Sequence, residues 1–198
     1  MPVRTAKIDR QTSETDVHVA VNLDGSGQYE LSTAVPFLDH LLSHVAMHGL
    51  LDLTVRAQGD IEVDDHHTVE DIGICLGQVL KEALGDKRGI VRYAHHVLPM
   101  DEALVLVAVD ISGRGMLVYD VAFPQPVIGQ FHVELIKEFL QALAVNGGLC
   151  LHVKLLYGGN AHHIAEAVFK ALGRCLGAAV QIDPRKAGMV PSTKGSIS

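Results

Sequence analysis

The 198-residue sequence has no tryptophan, only three cysteines, and aromatics at 5% of its length. Each shortage removes a class of protein. Cys75, Cys150 and Cys175 show no Cys-x-x-Cys spacing and lie in apolar runs, so a thiolate metal site and a disulfide scaffold are both excluded. Buried thiols in a reducing cytoplasm are expected instead. The longest uninterrupted apolar run, Ala103 to Val109, is too short to span a bilayer. No basic-then-apolar leader opens the sequence, so a secretory signal is not expected. Sixteen Lys and Arg against 23 Asp and Glu give a net charge of -7, which argues against a nucleic-acid surface. The 48% of apolar residues suffice for a real core, as one unit or two small halves.

What is abundant is histidine, twelve in all. His66-His67-x-x-Glu70 and His162-His163-x-x-Glu166 share one pattern, and each precedes an apolar periodicity typical of a helix. On a helix, the glutamate at i+4 or i+3 shares a face with either ring. Adjacent rings diverge by about 100°. One ion cannot easily take both rings of a pair; two divalent ions, each bound by parts of both motifs, fit better. A third pair, His95-His96, lacks the downstream glutamate, stands before a strand and reads as structural or peripheral.

The sequence also repeats itself weakly. Arg4, Glu14, Val17, Val19, Val21, Gly25 and Gly27 recur 88 residues later as Arg92, Glu102, Val105, Val107, Val109, Gly113 and Gly115. Leu42, Gly49, Leu53 and Val55 recur at a shift of 98, and the His-His-x-x-Glu motifs at 96. Each half reads as an alternating strand (Val17 to Leu23; Leu104 to Val109), a Gly-rich turn and a second strand. A helix follows (Pro36 to Met47; Phe131 to Val145), with Gly49 or Gly147 just past its end. A third strand (Leu50 to Ala57; Leu149 to Tyr157) then leads to the His-His helix. The fold class is α+β, helices covering one sheet face of each half, with halves at about 1–88 and 89–182 and a tail from Asp183 read as a loop. Asn22-Leu23-Asp24-Gly25-Ser26 superficially resembles a phosphatase nucleophile loop, but its repeat partner Asp110 to Arg114 makes it a hairpin turn.

His40, His44 and His48 form a stripe on the first helix, and under the repeat His40 falls opposite Glu138. The candidate metal ligands are therefore His40, His66, His67, Glu70, Glu138, His162, His163 and Glu166. Such nitrogen-rich sets suit Zn, Mn, Fe or Ni rather than Mg or Ca. A second candidate cluster is cationic: Arg92, Arg114, Lys170 and the tail Pro191-Ser192-Thr193-Lys194-Gly195. Taken singly each is a solvated charge; converging near metals they would hold a phosphorylated substrate.

Phe37-Leu38-Asp39-His40-Leu41-Leu42, Asp64-Asp65-His66-His67-Thr68-Val69-Glu70-Asp71, His162-His163-Ile164-Ala165-Glu166-Ala167 and Pro191-Ser192-Thr193-Lys194-Gly195 together resemble the imidazoleglycerol-phosphate dehydratase family. The resemblance covers essentially the whole sequence. It implies a duplicated ribosomal-protein-S5 domain-2 fold, two Mn ions per active site binding the substrate imidazolate, and no organic cofactor. It also implies a cytoplasmic homo-oligomer of about 24 subunits with sites at subunit contacts. The reaction implied is dehydration of D-erythro-imidazole glycerol phosphate to imidazole acetol phosphate in histidine biosynthesis. Under it, His40, His66, His67, Glu70, His162, His163 and Glu166 are ligands, and some relatives carry a ligand histidine where Glu138 stands. Phosphate would be held by Arg92, Arg114, Lys170, Ser192 and Lys194, Glu14 would be the substrate-contacting acid–base group, and His44 and His48 would line the site. The competing classes are a dinuclear metallohydrolase of a phosphorylated small molecule and a metal-storage protein. Imidazole ligands in place of bridging carboxylates disfavour the first, and the anion cluster disfavours the second.

Overall fold

Alternation decides the strands. Val17, Val19 and Val21 are buried between more exposed neighbours, as are Val105, Val107 and Val109. In the computed structural model, which describes residues 3–186 and 188–197, these runs form the second strand of two four-stranded sheets. The first half contains β1 (Thr5–Gln11), β2 (Thr15–Asn22), β3 (Tyr29–Ser32), α1 (Pro36–Gly49), β4 (Asp52–Gly59) and α2 (His66–Leu84). The second contains β5 (Tyr93–Met100), β6 (Ala103–Asp110), β7 (Met116–Asp120), the short pair β8 (Val127–Ile128) and β9 (Phe131–His132), α3 (Glu134–Gly147), β10 (Cys150–Tyr157) and α4 (Ala161–Val180). Strand orders are β1-β2-β4-β3 and β5-β6-β10-β7. The registers repeat as the sequence does: Thr5 faces Asn22 and Tyr93 faces Asp110, while Tyr29 faces Leu53 and Leu117 faces Leu151.

The structure corrects several details. Asn22 to Ser26 is not a hairpin turn, because β3 leaves β2 and pairs in parallel with β4. The turn is instead tied to Asp52, whose Oδ1 accepts the backbone N–H groups of Ser26 and Gln28 at 2.8 and 3.0 Å. His95-His96 lies inside β5 rather than before a strand. β5 is an edge strand, which is why it also accommodates Pro99. The α3 helix begins at Glu134, since Phe131 and His132 pair with β8. Among its described residues, the tail from Asp183 holds one short element, a 3-10 turn at Pro184–Lys186. Cys75 and Cys175 are buried, whereas Cys150 is half-buried.

Gly49 and Gly147 lie within their helices, and the left-handed closing residues are Leu50 and Gly148. Both glycines serve close approach instead. The helices pair across the halves, α1 against α4 and α2 against α3. A Cβ on Gly173 of α4 would come within 2.7 Å of the Val45 carbonyl oxygen, and one on Gly77 of α2 within 2.7 Å of the Gly147 nitrogen. Gly77 and Gly173 are 96 residues apart, so the two crossings are one contact made twice. A single cluster of buried apolar residues runs through both halves.

Gly77→Ala and Gly173→Ala should therefore each cost about 1–3 kcal/mol, the usual penalty of overpacking. Gly159→Ala, where nothing lies within 4 Å of the added carbon, should stay within about 0.5 kcal/mol of the parent. Urea unfolding of the three variants checks this; equal midpoints for Gly173→Ala and Gly159→Ala would refute it.

Candidate functional site

The α1–α4 crossing assembles one cluster. Helix α1 starts with Pro36 at its first turn, and Thr33 closes that end by donating its hydroxyl to Asp39 at 2.7 Å. Helix α4 is capped by Asn160, whose side chain accepts the backbone N–H groups of His162 and His163. Between the helices, the Glu166 Oε1 atom has three imidazole nitrogens around it: Nε2 of His40 at 2.7 Å, of His162 at 3.0 Å and of His44 at 3.5 Å. Its Oε2 accepts from Lys170 Nζ at 2.7 Å. One ligand atom each from His40, His162 and Glu166 lies within 4.8 Å of the others, the only such group of three or more among the described residues.

The electrostatics of this cluster are strongly coupled. Burial alone would raise the Glu166 pKa, but the Lys170 ammonium and the hydrogen bonds from His40 and His162 outweigh it and hold the carboxyl well below its ordinary range. Burial pushes the His44 imidazole down to about 4, Glu166 opposing only in part. His44 is therefore neutral at pH 7, and its buried Nε2 has no hydrogen-bond partner among the described residues. Two imidazoles, a carboxylate and an orphaned third nitrogen form the donor set of a borderline divalent cation. A metal ion fits this cluster.

The second ring of each His-His pair turns elsewhere. Ring planes are 85° apart in His66–His67 and 88° in His162–His163. His163 Nδ1 meets Glu102 Oε2 at 2.7 Å, and His67 Nδ1 meets Asp60 Oδ2 at 3.1 Å. Hydrogen bonds to these carboxylates raise both imidazole pKa values. Glu14, at the tip of the β1–β2 hairpin, stands 3.8 Å from His67 Nδ1, beyond hydrogen-bond reach. Glu70 is exposed, and Glu138 is half-buried on α3, the helix packed on α2. Among the described residues, neither of them nor His66, His67 or His163 joins a three-donor group within the single chain.

Two recesses are lined by candidate residues. One, of about 790 Å³, is walled by Phe37, Ile61, Ile128 and Phe131 and floored by His40, His162 and Glu166. The other, of about 690 Å³, lies under the tail and is lined by Arg92, Arg114, Ser112, Ser192 and Lys194 among others. They share no lining residue. The structure thus brings four of the five cationic-cluster candidates together and puts Lys170 with Glu166 instead. Arg92 is already engaged: its guanidinium grips Asp110 at 2.8 Å and donates to the Pro191 carbonyl, pinning the tail. His48 stacks on His44 with ring centres 5.7 Å apart. Asp60 has no counterpart in the other half, where Gly158 stands, and so had no signal in the sequence; Asp110 stood out only as part of a turn, and Phe37 and Phe131 only as parts of helices.

For the metal-free chain, Glu166→Gln should lower stability at pH 7 by about 1.5–3 kcal/mol, the worth of hydrogen bonds to a charged group. The carboxyl pKa is depressed on folding, so this contribution is full above its unfolded value near 4.5 and fades as pH falls through the folded value. Urea unfolding from pH 7 down to pH 3 checks the sign: the gap between parent and variant should shrink with acid, and a gap that widens would contradict the pairing.

A model of the family described as imidazoleglycerol-phosphate dehydratase matches residues 33–176. The imidazoleglycerol-phosphate dehydratase of Dinoroseobacter shibae is 59% identical over 98% of this chain and 100% of its own length. That of Desulforudis audaxviator is 56% identical over the full length of both. Among solved structures, the Staphylococcus aureus enzyme aligns with a TM-score of 0.83 at 39% identity, covering 90% of this chain and 99% of that one. A Pyrococcus furiosus enzyme of the same name, in complex with (S)-C348, gives 0.82 at 39% identity over 96% and 99%. With the two duplicated sheets and the fold of these enzymes, the chain belongs to the imidazoleglycerol-phosphate dehydratase family of hydro-lyases.

Proposed function

We propose that the chain dehydrates D-erythro-imidazole glycerol phosphate to imidazole acetol phosphate in histidine biosynthesis, with two Mn ions per active site and no organic cofactor. The observation that carries the metal reading is the convergence of His40, His162 and Glu166 between α1 and α4, with the unpartnered His44 nitrogen behind them. These residues would hold one ion. By the repeat, Glu138 on α3 and His66 and Glu70 on α2 occupy the matching crossing, with His67 and His163 as the remaining ligands. Bound there, the ions supply electrostatic stabilisation of an imidazole ring that has lost its proton.

The remaining work belongs to side chains. Dehydration takes a hydroxyl from the ring-attached carbon and a proton from the next carbon, and the resulting enol becomes the ketone. Glu14, exposed at the hairpin tip and 3.8 Å from His67, is the proton carrier of this step. Arg114, Ser192 and Lys194 bind the phosphate, Arg92 holds the tail over them, and His44 and His48 line the site. The anion recess and the three-donor cluster have no residue in common within the chain. That separation supports active sites completed between subunits of a large cytoplasmic homo-oligomer of about 24 copies, in which Lys170 joins a neighbour's phosphate residues. The sequence halves at about 1–88 and 89–182, with a substrate-binding tail at 183–198, are the units of this arrangement. None of the described helices is long and apolar enough to cross a membrane.

The test is formation of ketone from imidazole glycerol phosphate by chelator-stripped protein. Mn should restore turnover and Mg should not, because the donor set is rich in imidazole nitrogen. Full activity with Mg alone would overturn the metal assignment, and release of inorganic phosphate in place of ketone would favour a metallohydrolase. Lys194→Ala should raise KM by roughly tenfold or more, the loss of one charge-assisted contact worth about 1.5–3 kcal/mol. An unchanged KM would remove Lys194 from the phosphate site.

A further inference from the structure

The two hairpin glutamates, Glu14 and Glu102, occupy matching positions 88 residues apart, yet their surroundings differ. Glu102 is fully committed. Its Oε2 takes His163 Nδ1 at 2.7 Å, and its Oε1 accepts the backbone N–H groups of Asn160 and Gly159 at 2.8 and 3.3 Å. Glu14 makes no equivalent bond to His67. There the ring nitrogen is held by Asp60, whose two oxygens lie 3.2 and 3.1 Å from His67 Nδ1. Asp60 is itself fixed to the hairpin, its N–H donating to the Glu14 carbonyl at 3.1 Å. The corresponding loop of the second half, Gly158-Gly159-Asn160, contains no carboxylate.

We infer that Asp60 and Glu102 are equivalent positioning residues, each fixing the tautomer and ring direction of the second histidine of a His-His pair, and that Asp60 frees Glu14 from this duty. The chemistry is direct. An ionised carboxylate can only accept, so Nδ1 of each ring carries the proton and Nε2 of the neutral ring keeps its lone pair for a cation. For His163 that Nε2 atom has Asp101 Oδ2 at 3.6 Å, outside hydrogen-bond distance. In the second half the hairpin glutamate does this work. In the first half an aspartate on the following loop has taken it over, leaving the hairpin carboxylate with no side-chain hydrogen bond among the described residues and 3.8 Å from His67. The duplication thus yields two metal-orienting dyads but one proton carrier.

The inference rests on the metal reading above, and the test separates the two. Chelator-stripped, assembled protein is titrated with Mn2+ by calorimetry, with circular dichroism of each metal-free variant as a check on folding. If the parent protein binds no Mn2+, the metal reading itself fails. Given binding, Asp60→Ala and Glu102→Ala should each weaken Mn2+ affinity about 10–100-fold, the usual cost of losing a carboxylate behind a ligand histidine. Asp60→Asn, whose amide oxygen can still accept from His67 Nδ1, should recover most of that loss. Glu14→Gln should keep Mn2+ affinity within about threefold while turnover is abolished. Parent-like affinity in both alanine variants, or a loss in Glu14→Gln as large as in Asp60→Ala, overturns the assignment. Equal losses in Asp60→Ala and Asp60→Asn overturn it as well.

Discussion

The contact between α1 and α4 is the constraint on which the site depends. His40 comes from the first half, His162 and Glu166 from the second, and their nitrogens can meet one carboxylate oxygen only if the two backbones approach closely. Gly49 and Gly173 permit that approach; a Cβ on either would run into carbonyl oxygen of the facing helix. The α2–α3 crossing repeats the close approach at Gly77, where a Cβ would run into the Gly147 nitrogen and the Leu143 carbonyl oxygen. Because each half lends a helix to the other, neither half can bury its helical faces alone. The cohesive contact of the fold and the assembly of the donors are therefore the same event.

The cluster at that crossing, built round the buried Glu166, has unusual electrostatics. Three histidines and a lysine converge on one glutamate, and the carboxylate remains ionised because the ammonium and two ring hydrogen bonds outweigh its desolvation. His44, packed behind, stays neutral through burial. Such a site is poised for a cation: it offers imidazole nitrogens and fixed negative charge, and it is held by two long helices rather than by loops.

Much of this was legible in the sequence, and the failures have physical causes. The valine alternations gave β2 and β6, and the registers of the two sheets repeat with the same shifts of 88 and 98 that relate the sequence halves. The His-His-x-x-Glu spacing correctly put His162 and Glu166 on one helical face. β1 and β5 are edge strands without a clear apolar alternation: Thr5-Ala6-Lys7-Ile8-Asp9 alternates weakly apolar with charged residues, and β5 carries His95-His96 and Pro99 between its apolar positions. The turn after Asn22 was misjudged because its glycines suit a hairpin, and only the parallel pairing of β3 with β4 reveals otherwise. The crossing of helices between halves leaves no local pattern, so the meeting of His40 with Glu166, 126 residues away, could not be derived from spacing. Asp60 was invisible for the opposite reason: it breaks the repeat, and the repeat was the guide.

The metal placement proposed above puts divalent ions between histidines contributed by both halves of one duplicated architecture. Anomalous diffraction at the manganese edge from crystals of the Mn-loaded protein tests this most directly. Two strong peaks per chain are expected, one of them bounded by His40, His162 and Glu166, with residues of both His-His-x-x-Glu motifs represented around the pair. A single peak per chain, or peaks that avoid the α1–α4 crossing, would contradict it.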